Sequence, residues 1–237
     1  MAQLVSTKNL LMSNRPLVVG VPADQNALRV FAAVTPEERS QQCDVLELRL
    51  DLLQMEAQDL LGLLESVETP LLVTARHPDE GGLGGLDAQA RWALVEPLLG
   101  RASLWDVELR SLVDLREGIR WAQSVGVGVL GSFHDFERTP SEEVLEGAAG
   151  IAEAAGLVGV KIATFLQTTE DLARLVRFTG RERRARVSVM GMGALGPVSR
   201  LALAKCGSVL NYGYLGANGN APGQWPAQRL KAVLAEL

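Results

Sequence analysis

The sequence predicts a (β/α)8 barrel, for three reasons. Short apolar runs alternate eight times with helical segments, and 237 residues is a routine length for this architecture. No boundary rich in Pro, Ser or charge divides the chain, so we expect a single domain over residues 1–237. A doubly wound open sheet is the alternative, which the count of eight and the lack of a GxGxxG turn in the sequence disfavour.

The predicted strands are short runs rich in Val, Leu and Ile, bounded by polar residues or glycine. They cover residues 17–21, 45–50, 71–75, 104–109, 127–133, 157–165, 187–190 and 208–212. Predicted helices follow them at residues 26–42, 53–67, 87–99, 112–124, 141–155, 170–179, 198–206 and 226–237. The fifth helix begins with Ser141-Glu142-Glu143, a typical N-terminal turn. Residues 1–15 are weakly apolar, and we expect a short strand pair or arm there.

The composition disfavours nucleic-acid-binding, membrane-spanning, exported and metal-binding proteins. A net charge of −5 and a pI near 5.2 disfavour a nucleic-acid-binding surface. No apolar run has the length of a membrane span, and the N-terminus lacks the basic region and apolar block of an export signal, so we expect a cytoplasmic protein. Cys43 and Cys206 form no CxxC pair, and two histidines without ligand spacing predict no metal site.

The sixth predicted strand carries a lysine, Lys161, in its apolar interior. It is one of only four lysines, against nineteen arginines. Because an isolated ammonium is costly to desolvate, we expect burial to lower its pKa and favour the neutral amine, which is the nucleophile of a Schiff-base enzyme. Two other interpretations stay open: an edge-strand lysine whose amine reaches water, and a structural ion pair.

Charged residues lie near the carboxyl ends of the predicted strands, where the chemistry of this fold is found. Glu47 and Arg49 are two apart on the second strand, so both side chains face one side and either pair in the interior or meet a ligand. Arg76 ends the third strand, and Glu80 follows in a glycine-containing loop. These four residues are therefore candidates for substrate binding or catalysis.

The later strand ends supply similar side chains. They are Asp106 and Glu108 on the fourth strand, His134 at the end of the fifth, Met190 and Met192 at the end of the seventh, Arg200 in the next helix and Gln224 after the eighth. Taken singly, His134 is typical of a structural histidine and the methionines are typical of core packing. Together these residues surround one lysine. Arginines and a glutamine suit a polyhydroxylated carboxylate, and the lysine suits its carbonyl group. We expect an imine-forming enzyme for a keto acid, with no cofactor.

Six separated motifs, in order and with closely similar spacing, resemble the type I 3-dehydroquinate dehydratases. They are Glu47-Leu48-Arg49-Leu50-Asp51, Arg76 with Glu80-Gly81-Gly82, Phe133-His134-Asp135-Phe136, Val160-Lys161-Ile162-Ala163, Met192-Gly193 with Ser199-Arg200, and Ala221-Pro222-Gly223-Gln224. The resemblance spans the second strand to the last loop. It implies a (β/α)8 barrel, commonly a homodimer, that dehydrates 3-dehydroquinate to 3-dehydroshikimate in the shikimate pathway through a covalent imine.

The resemblance also implies a role for each matching residue. Lys161 forms the imine with the ring ketone, His134 moves the protons, and Glu80 orients and charges His134. Arg200 and Gln224 hold the substrate carboxylate and a nearby hydroxyl, Glu47, Arg49 and Arg76 hold ring hydroxyls, and Met190 and Met192 pack the ring. Asp106 and Glu108 are expected to be interior charge partners. The family often has Ser where this chain has Asn220, which puts that substrate contact in doubt.

Two competing functions stay open on the sequence. Another imine-forming aldolase on the same barrel would favour phosphate-binding glycine turns after the seventh and eighth strands, and Gly191-Met192-Gly193 matches these only in part. A non-catalytic domain that senses dehydroquinate or quinate would be expected to lose the lysine or the histidine and to lie in a longer chain. Lys161, His134 and Glu80 are all present, which favours the enzyme.

Overall fold

Eight parallel strands form one sheet in the order β7-β6-β5-β4-β3-β2-β1-β8 in the computed structural model, which describes residues 10–11, 13, 15–217, 219 and 223–237. The strands are β1 (Leu17–Pro22), β2 (Val45–Arg49), β3 (Leu71–Thr74), β4 (Leu104–Glu108), β5 (Gly128–Asp135), β6 (Gly159–Phe165), β7 (Arg186–Met192) and β8 (Leu210–Leu215). The sheet curls so that its end strands meet, and the predicted (β/α)8 barrel is confirmed.

The seam between the end strands β7 and β8 is held in part by two serine side chains. Ser208 Oγ accepts a hydrogen bond from the backbone N–H of Val189 at 2.9 Å. Ser188 Oγ accepts one from the backbone N–H of Leu210 at 3.1 Å. Because buried backbone donors need partners, these hydroxyls satisfy donors at the seam and help to close the barrel.

Helices surround the strands. They are α1 (Gln25–Ala33), α2 (Pro36–Gln42), α3 (Leu50–Leu53), α4 (Ala57–Leu63), α5 (Ala88–Val95), α6 (Arg116–Ser124), α7 (Glu142–Ala154), α8 (Thr169–Thr179), α9 (Gly196–Lys205) and α10 (Ala227–Glu236). No helix in the described part of the chain is long and apolar enough to cross a membrane. The predicted strand pair over residues 1–15 falls largely outside the described residues, and Leu10 and Leu11 within it are helical.

Two predicted helices are each divided in two, for local reasons. The prediction over residues 26–42 is interrupted because Thr35 begins a new helix, with a reciprocal capping box to Glu38, and Pro36 cannot continue the helix before it. The prediction over residues 53–67 is interrupted at Gln54, whose left-handed backbone (φ 46°) ends α3. In both places turn geometry overrides the apolar pattern.

The strands bury side chains on both faces, with a period of two. Outward-facing residues such as Leu46, Trp105 and Val160 pack against the helices. The inward-facing residues Val45 and Leu104 belong to a second apolar cluster inside the barrel. Two residues further along these strands the inward positions are Glu47 and Asp106, and on β6 the inward position is Lys161, so a charged layer lies on an apolar floor.

Candidate active site

A cavity of about 310 Å³ lies at the carboxyl ends of the strands. All the predicted site residues that the structure describes line it, namely Glu47, Arg49, Arg76, Glu80, His134, Lys161, Met192, Arg200 and Gln224, together with Met190. Asn220 lies outside the described residues. The cavity therefore brings together side chains from the ends of β2, β3, β5, β6, β7 and β8, whereas Asp106 and Glu108 of β4 are not among its lining residues.

Lys161 lies among carboxylates. Its Nζ is 3.0 Å from Asp106 Oδ2 and 3.6 Å from Glu47 Oε1, and it lies 4.2 Å from the centroid of the Tyr212 ring. The expectation of an isolated amine is therefore wrong, and the ion pair that the sequence left open is present. The edge-strand interpretation is also wrong, because β6 pairs with β5 and β7. Lys161 is 5 % exposed and lines the cavity.

Asp106 and Glu108 are interior charge partners, as expected, and Arg76 joins them. Arg76 donates to Asp106 Oδ1 and Oδ2 at 2.9 and 2.8 Å and to Glu108 Oε1 at 2.9 Å. Arg91 donates to Glu108 Oε2 at 2.7 Å. Burial opposes ionisation of Asp106, but the Arg76 and Lys161 cations hold its pKa well below its usual range. The network therefore supplies an ionised carboxylate that fixes the Lys161 amine.

Glu80 and His134 form a close pair beside Lys161. Glu80 Oε2 lies 2.8 Å from His134 Nδ1 and accepts the backbone N–H of His134 at 3.1 Å. Burial, and next the Glu108 carboxylate, raise the pKa of Glu80 to about 7. Burial, and next the Arg76 cation, lower the pKa of His134 well below its ordinary value. The pair therefore shares one proton at Nδ1 and Oε2, which leaves Nε2 as a base.

Asp51 contacts the cavity residue Arg49 and was not among the predicted site residues. Arg49 Nε and one terminal nitrogen donate to its two oxygens at 2.9 and 2.8 Å, and the backbone N–H of Leu83 donates at 3.2 Å. Arg49 also donates to Gly81 O at 3.2 Å. Asp51 thus orients Arg49 and ties it to the loop after β3. The signal was present in the sequence, since Asp51 ends the first of the six motifs.

Arg200 is a buried cation at the cavity wall. It is 3 % exposed, and one terminal nitrogen donates to the backbone oxygen of Tyr212 at 2.9 Å. In the described part of the chain its Nε has no hydrogen-bond partner, and no carboxylate lies within ion-pair distance of it. Burial lowers its pKa to about 10. A buried charge without a counter-charge is costly, so this wall suits an anionic ligand.

Two aromatic residues of the cavity were missed by the sequence reasoning. Tyr212 follows the inward-facing Leu210 by two residues, so strand periodicity could have placed it inside the barrel. Phe136 is 47 % exposed, and its ring stacks on His134 with centroids 6.1 Å apart and an angle of 11° between planes. Phe136 therefore covers the outer face of the imidazole.

The chain matches known proteins along most of its length. The family model described as "Type I 3-dehydroquinase" matches residues 25–237. A 3-dehydroquinate dehydratase of Methanocella arvoryzae is 34% identical over 206 residues, covering 83% of this chain and 90% of the relative. A 3-dehydroquinate dehydratase of Thermodesulfovibrio yellowstonii is 29% identical over 221 residues, covering 91% of this chain and 92% of the relative.

A solved structure agrees with these sequences. The crystal structure of the 3-dehydroquinate dehydratase from Geobacillus kaustophilus superposes with a TM-score of 0.82 at 28% identity, covering 95% of this chain and 92% of that one. The aldolase and sensor alternatives are thereby set aside. The chain belongs to the type I 3-dehydroquinase family and is an enzyme that dehydrates 3-dehydroquinate.

Proposed function

We propose that Lys161 forms the covalent imine of this dehydration and that Arg200 holds the carboxylate of the substrate. The observation that supports this most strongly is the presence of both groups in one cavity. Arg200 is buried, its Nε has no hydrogen-bond partner among the described residues, and Lys161 lines the same cavity. A keto acid carries a carboxylate for the first and a carbonyl group for the second.

The proposed reaction begins when Lys161, which is ion-paired with Asp106 and Glu47, loses its ammonium proton to Nε2 of His134, and the neutral Nζ attacks the ketone carbon. One proton moves from nitrogen to oxygen, His134 returns its proton to the same oxygen, and the carbinolamine loses water to give the protonated imine. The protonated imine withdraws electrons from the adjacent C–H, whose proton goes to Nε2 of His134. That proton then leaves with the hydroxyl on the next carbon as a second water molecule. Hydrolysis takes up one water molecule and releases the enone and Lys161, so the net reaction loses one water.

Other residues of the cavity are proposed to bind the substrate. Gln224 lies on the same cavity as Arg200 and suits the carboxylate or the nearby hydroxyl. Glu47 and Arg49 suit ring hydroxyls, since one accepts and the other donates hydrogen bonds. Arg76 donates hydrogen bonds mainly to Asp106 and Glu108. It can therefore contact a ring hydroxyl only through N–H groups that these two carboxylates do not occupy. Met190 and Met192 form an apolar wall for the ring.

Reduction with borohydride tests the nucleophile directly. Borohydride added with 3-dehydroquinate should leave a stable mass adduct on Lys161, while absorbance of the conjugated enone reports turnover in its absence. Lys161→Ala should lose both signals. Lys205→Ala is a matched control, because Lys205 is exposed in the last turn of α9. An adduct on Lys8, Lys205 or Lys231, or turnover by Lys161→Ala, would show that the nucleophile is misassigned.

We also propose that the chain is one barrel domain that functions as a cytoplasmic homodimer. The acidic composition and the resemblance to a commonly dimeric family support this. Sedimentation equilibrium of the purified chain should give twice the chain mass of 25.4 kDa. A concentration-independent monomer would contradict the dimer without affecting the assignment of Lys161.

A further inference from the structure

The Tyr212 hydroxyl is a buried hydrogen-bonding group with no described role. Tyr212 is 3 % exposed and lines the cavity from β8. Within the described residues its phenol oxygen has no hydrogen-bond partner. Burying a hydroxyl without a partner costs folding free energy, so a phenylalanine of the same shape would serve better if the ring only filled space. The hydroxyl therefore points to a ligand contact.

The position of the ring limits which ligand atoms the hydroxyl can reach. Lys161 Nζ lies over the ring at 4.2 Å from its centroid. The phenol oxygen lies one bond beyond the ring edge and is closed to solvent. When Nζ attacks, the oxygen on the attacked carbon is the substrate oxygen nearest to Nζ, so it is the ligand atom that we expect the hydroxyl to meet. Hydrogen-bond distance to an atom two bonds from Nζ fits this arrangement.

The surroundings of the phenol keep it a donor. Burial, followed by the Glu47 and Asp106 carboxylates, raises the pKa of Tyr212 well above its ordinary value. The neutral phenol thus keeps its proton. A hydroxyl in this state can polarise an oxygen without transferring a proton to it.

We propose that the Tyr212 hydroxyl donates a hydrogen bond to the ketone oxygen of the substrate and then to the carbinolamine oxygen derived from it. The proposal rests on the proposed imine at Lys161. As the Nζ–C bond forms, the C=O π electrons move to the oxygen that Tyr212 contacts. One proton moves from nitrogen to that oxygen, a second comes from His134 Nε2, and the oxygen leaves as water when the C=N bond forms. Tyr212 keeps its own proton in every step, so it neither adds a proton to the reaction nor removes one.

The main chain of Tyr212 supports the same assignment. Its backbone oxygen accepts from Arg200 at 2.9 Å, so one residue contacts the proposed carboxylate site through its backbone and the imine site through its side chain. Replacing the side chain leaves the backbone contact in place. Tyr212→Phe therefore removes the hydroxyl alone.

Tyr212→Phe and Tyr214→Phe provide a matched pair of variants. Tyr214 lies on the same strand and is not among the residues that line the cavity. We expect the single-turnover rate of borohydride-trappable adduct formation to fall roughly three- to tenfold in Tyr212→Phe, the loss of one uncharged hydrogen bond. Tyr214→Phe should keep the wild-type rate. The Tm of Tyr212→Phe should equal or exceed that of the wild type, because an unpartnered hydroxyl is removed.

Each other outcome is decisive. An unchanged rate in Tyr212→Phe overturns the proposal. A slower rate with a lower Tm overturns it as well, because the hydroxyl then serves folding. If the wild type forms no adduct on Lys161 at all, the proposed imine fails, whatever the behaviour of Tyr212→Phe.

Discussion

A single oxygen of Glu80 holds both the ring and the backbone of His134, although 54 residues separate the two in sequence. Glu80 ends a 3-10 turn after β3 (Pro78–Glu80), whereas His134 lies within β5. The double contact fixes the direction of the imidazole, and Phe136 stacks on it. Because Nδ1 is engaged by Glu80, only Nε2 is left to exchange protons with a substrate.

This arrangement predicts different losses for the two partners. His134→Ala should reduce kcat by a factor on the order of 10²–10⁴, because the group that moves the protons is gone. Adduct at Lys161 should still accumulate under borohydride, since the amine remains. Glu80→Gln should reduce kcat less than His134→Ala does, because Gln can still contact His134 Nδ1. Full turnover by His134→Ala would make the histidine purely structural.

The raised pKa of Glu80 predicts the pH dependence of the reaction. Below about 7 Glu80 takes up a proton, and Nδ1 loses the carboxylate that directs the Nε2 lone pair to the substrate. We therefore expect kcat to rise with pH through about 7 and this step to vanish in Glu80→Gln. The pKa of His134 lies well below its ordinary value, so its own ionisation does not produce the step. A step of equal size in Glu80→Gln would assign it to another group.

The same shift predicts an effect on stability with the opposite sign. An acid whose pKa is raised in the folded state binds more protons folded than unfolded between its two pKa values. Glu80 therefore lowers the free energy of unfolding as the pH rises from about 4.5 to about 7, by roughly 3 kcal/mol at most. Urea denaturation at pH 5 and pH 8 should show that the free energy of unfolding falls more between these pH values in the wild type than in Glu80→Gln. Equal falls in the two proteins would contradict the assigned pKa.

The sequence was sufficient for the barrel and for most of the site residues, because strand periodicity and strand ends are local signals. It could not supply the partners of Lys161, which come from β2 and β4 and become neighbours only when the barrel closes. It also missed the interruption at Thr35, where a capping box outweighs the apolar pattern. Tyr212 was missed because an aromatic residue on a strand is first of all typical of core packing.

Two glycines predict opposite effects on stability. A Cβ at Gly213 on β8 would lie 2.5 Å from Ala227 Cα at the start of α10, so Gly213→Ala must displace the helix and should cost about 1–3 kcal/mol. Nothing lies within 4 Å of a Cβ at Gly62 in α4, so Gly62→Ala should stabilise by about 0.5–1 kcal/mol. Urea unfolding of both variants measures the difference. If Gly62→Ala is destabilised instead, the higher helix propensity of alanine does not decide stability at this position of α4.

The last prediction separates the charged contact to the substrate from an uncharged one. If Arg200 holds the substrate carboxylate, Arg200→Ala removes charge-assisted hydrogen bonds worth about 1.5–3 kcal/mol and should raise KM roughly 10- to 150-fold. Arg200→Lys keeps the charge but not the bidentate geometry of the guanidinium, so its KM should lie between those of the wild type and Arg200→Ala. If Asn220 contacts the substrate, Asn220→Ser changes an uncharged contact worth about 0.5–1.5 kcal/mol, so KM should change by no more than roughly tenfold.

Steady-state kinetics of the three variants, measured beside borohydride trapping, decide between these contacts. Trapping at saturating substrate should remain possible in all of them, because none changes Lys161. If Asn220→Ser is the more damaging substitution, the carboxylate is not held by Arg200. The unpartnered Nε of Arg200 would then require a different anion, and chloride or phosphate should protect the wild type, but not Arg200→Ala, against thermal unfolding.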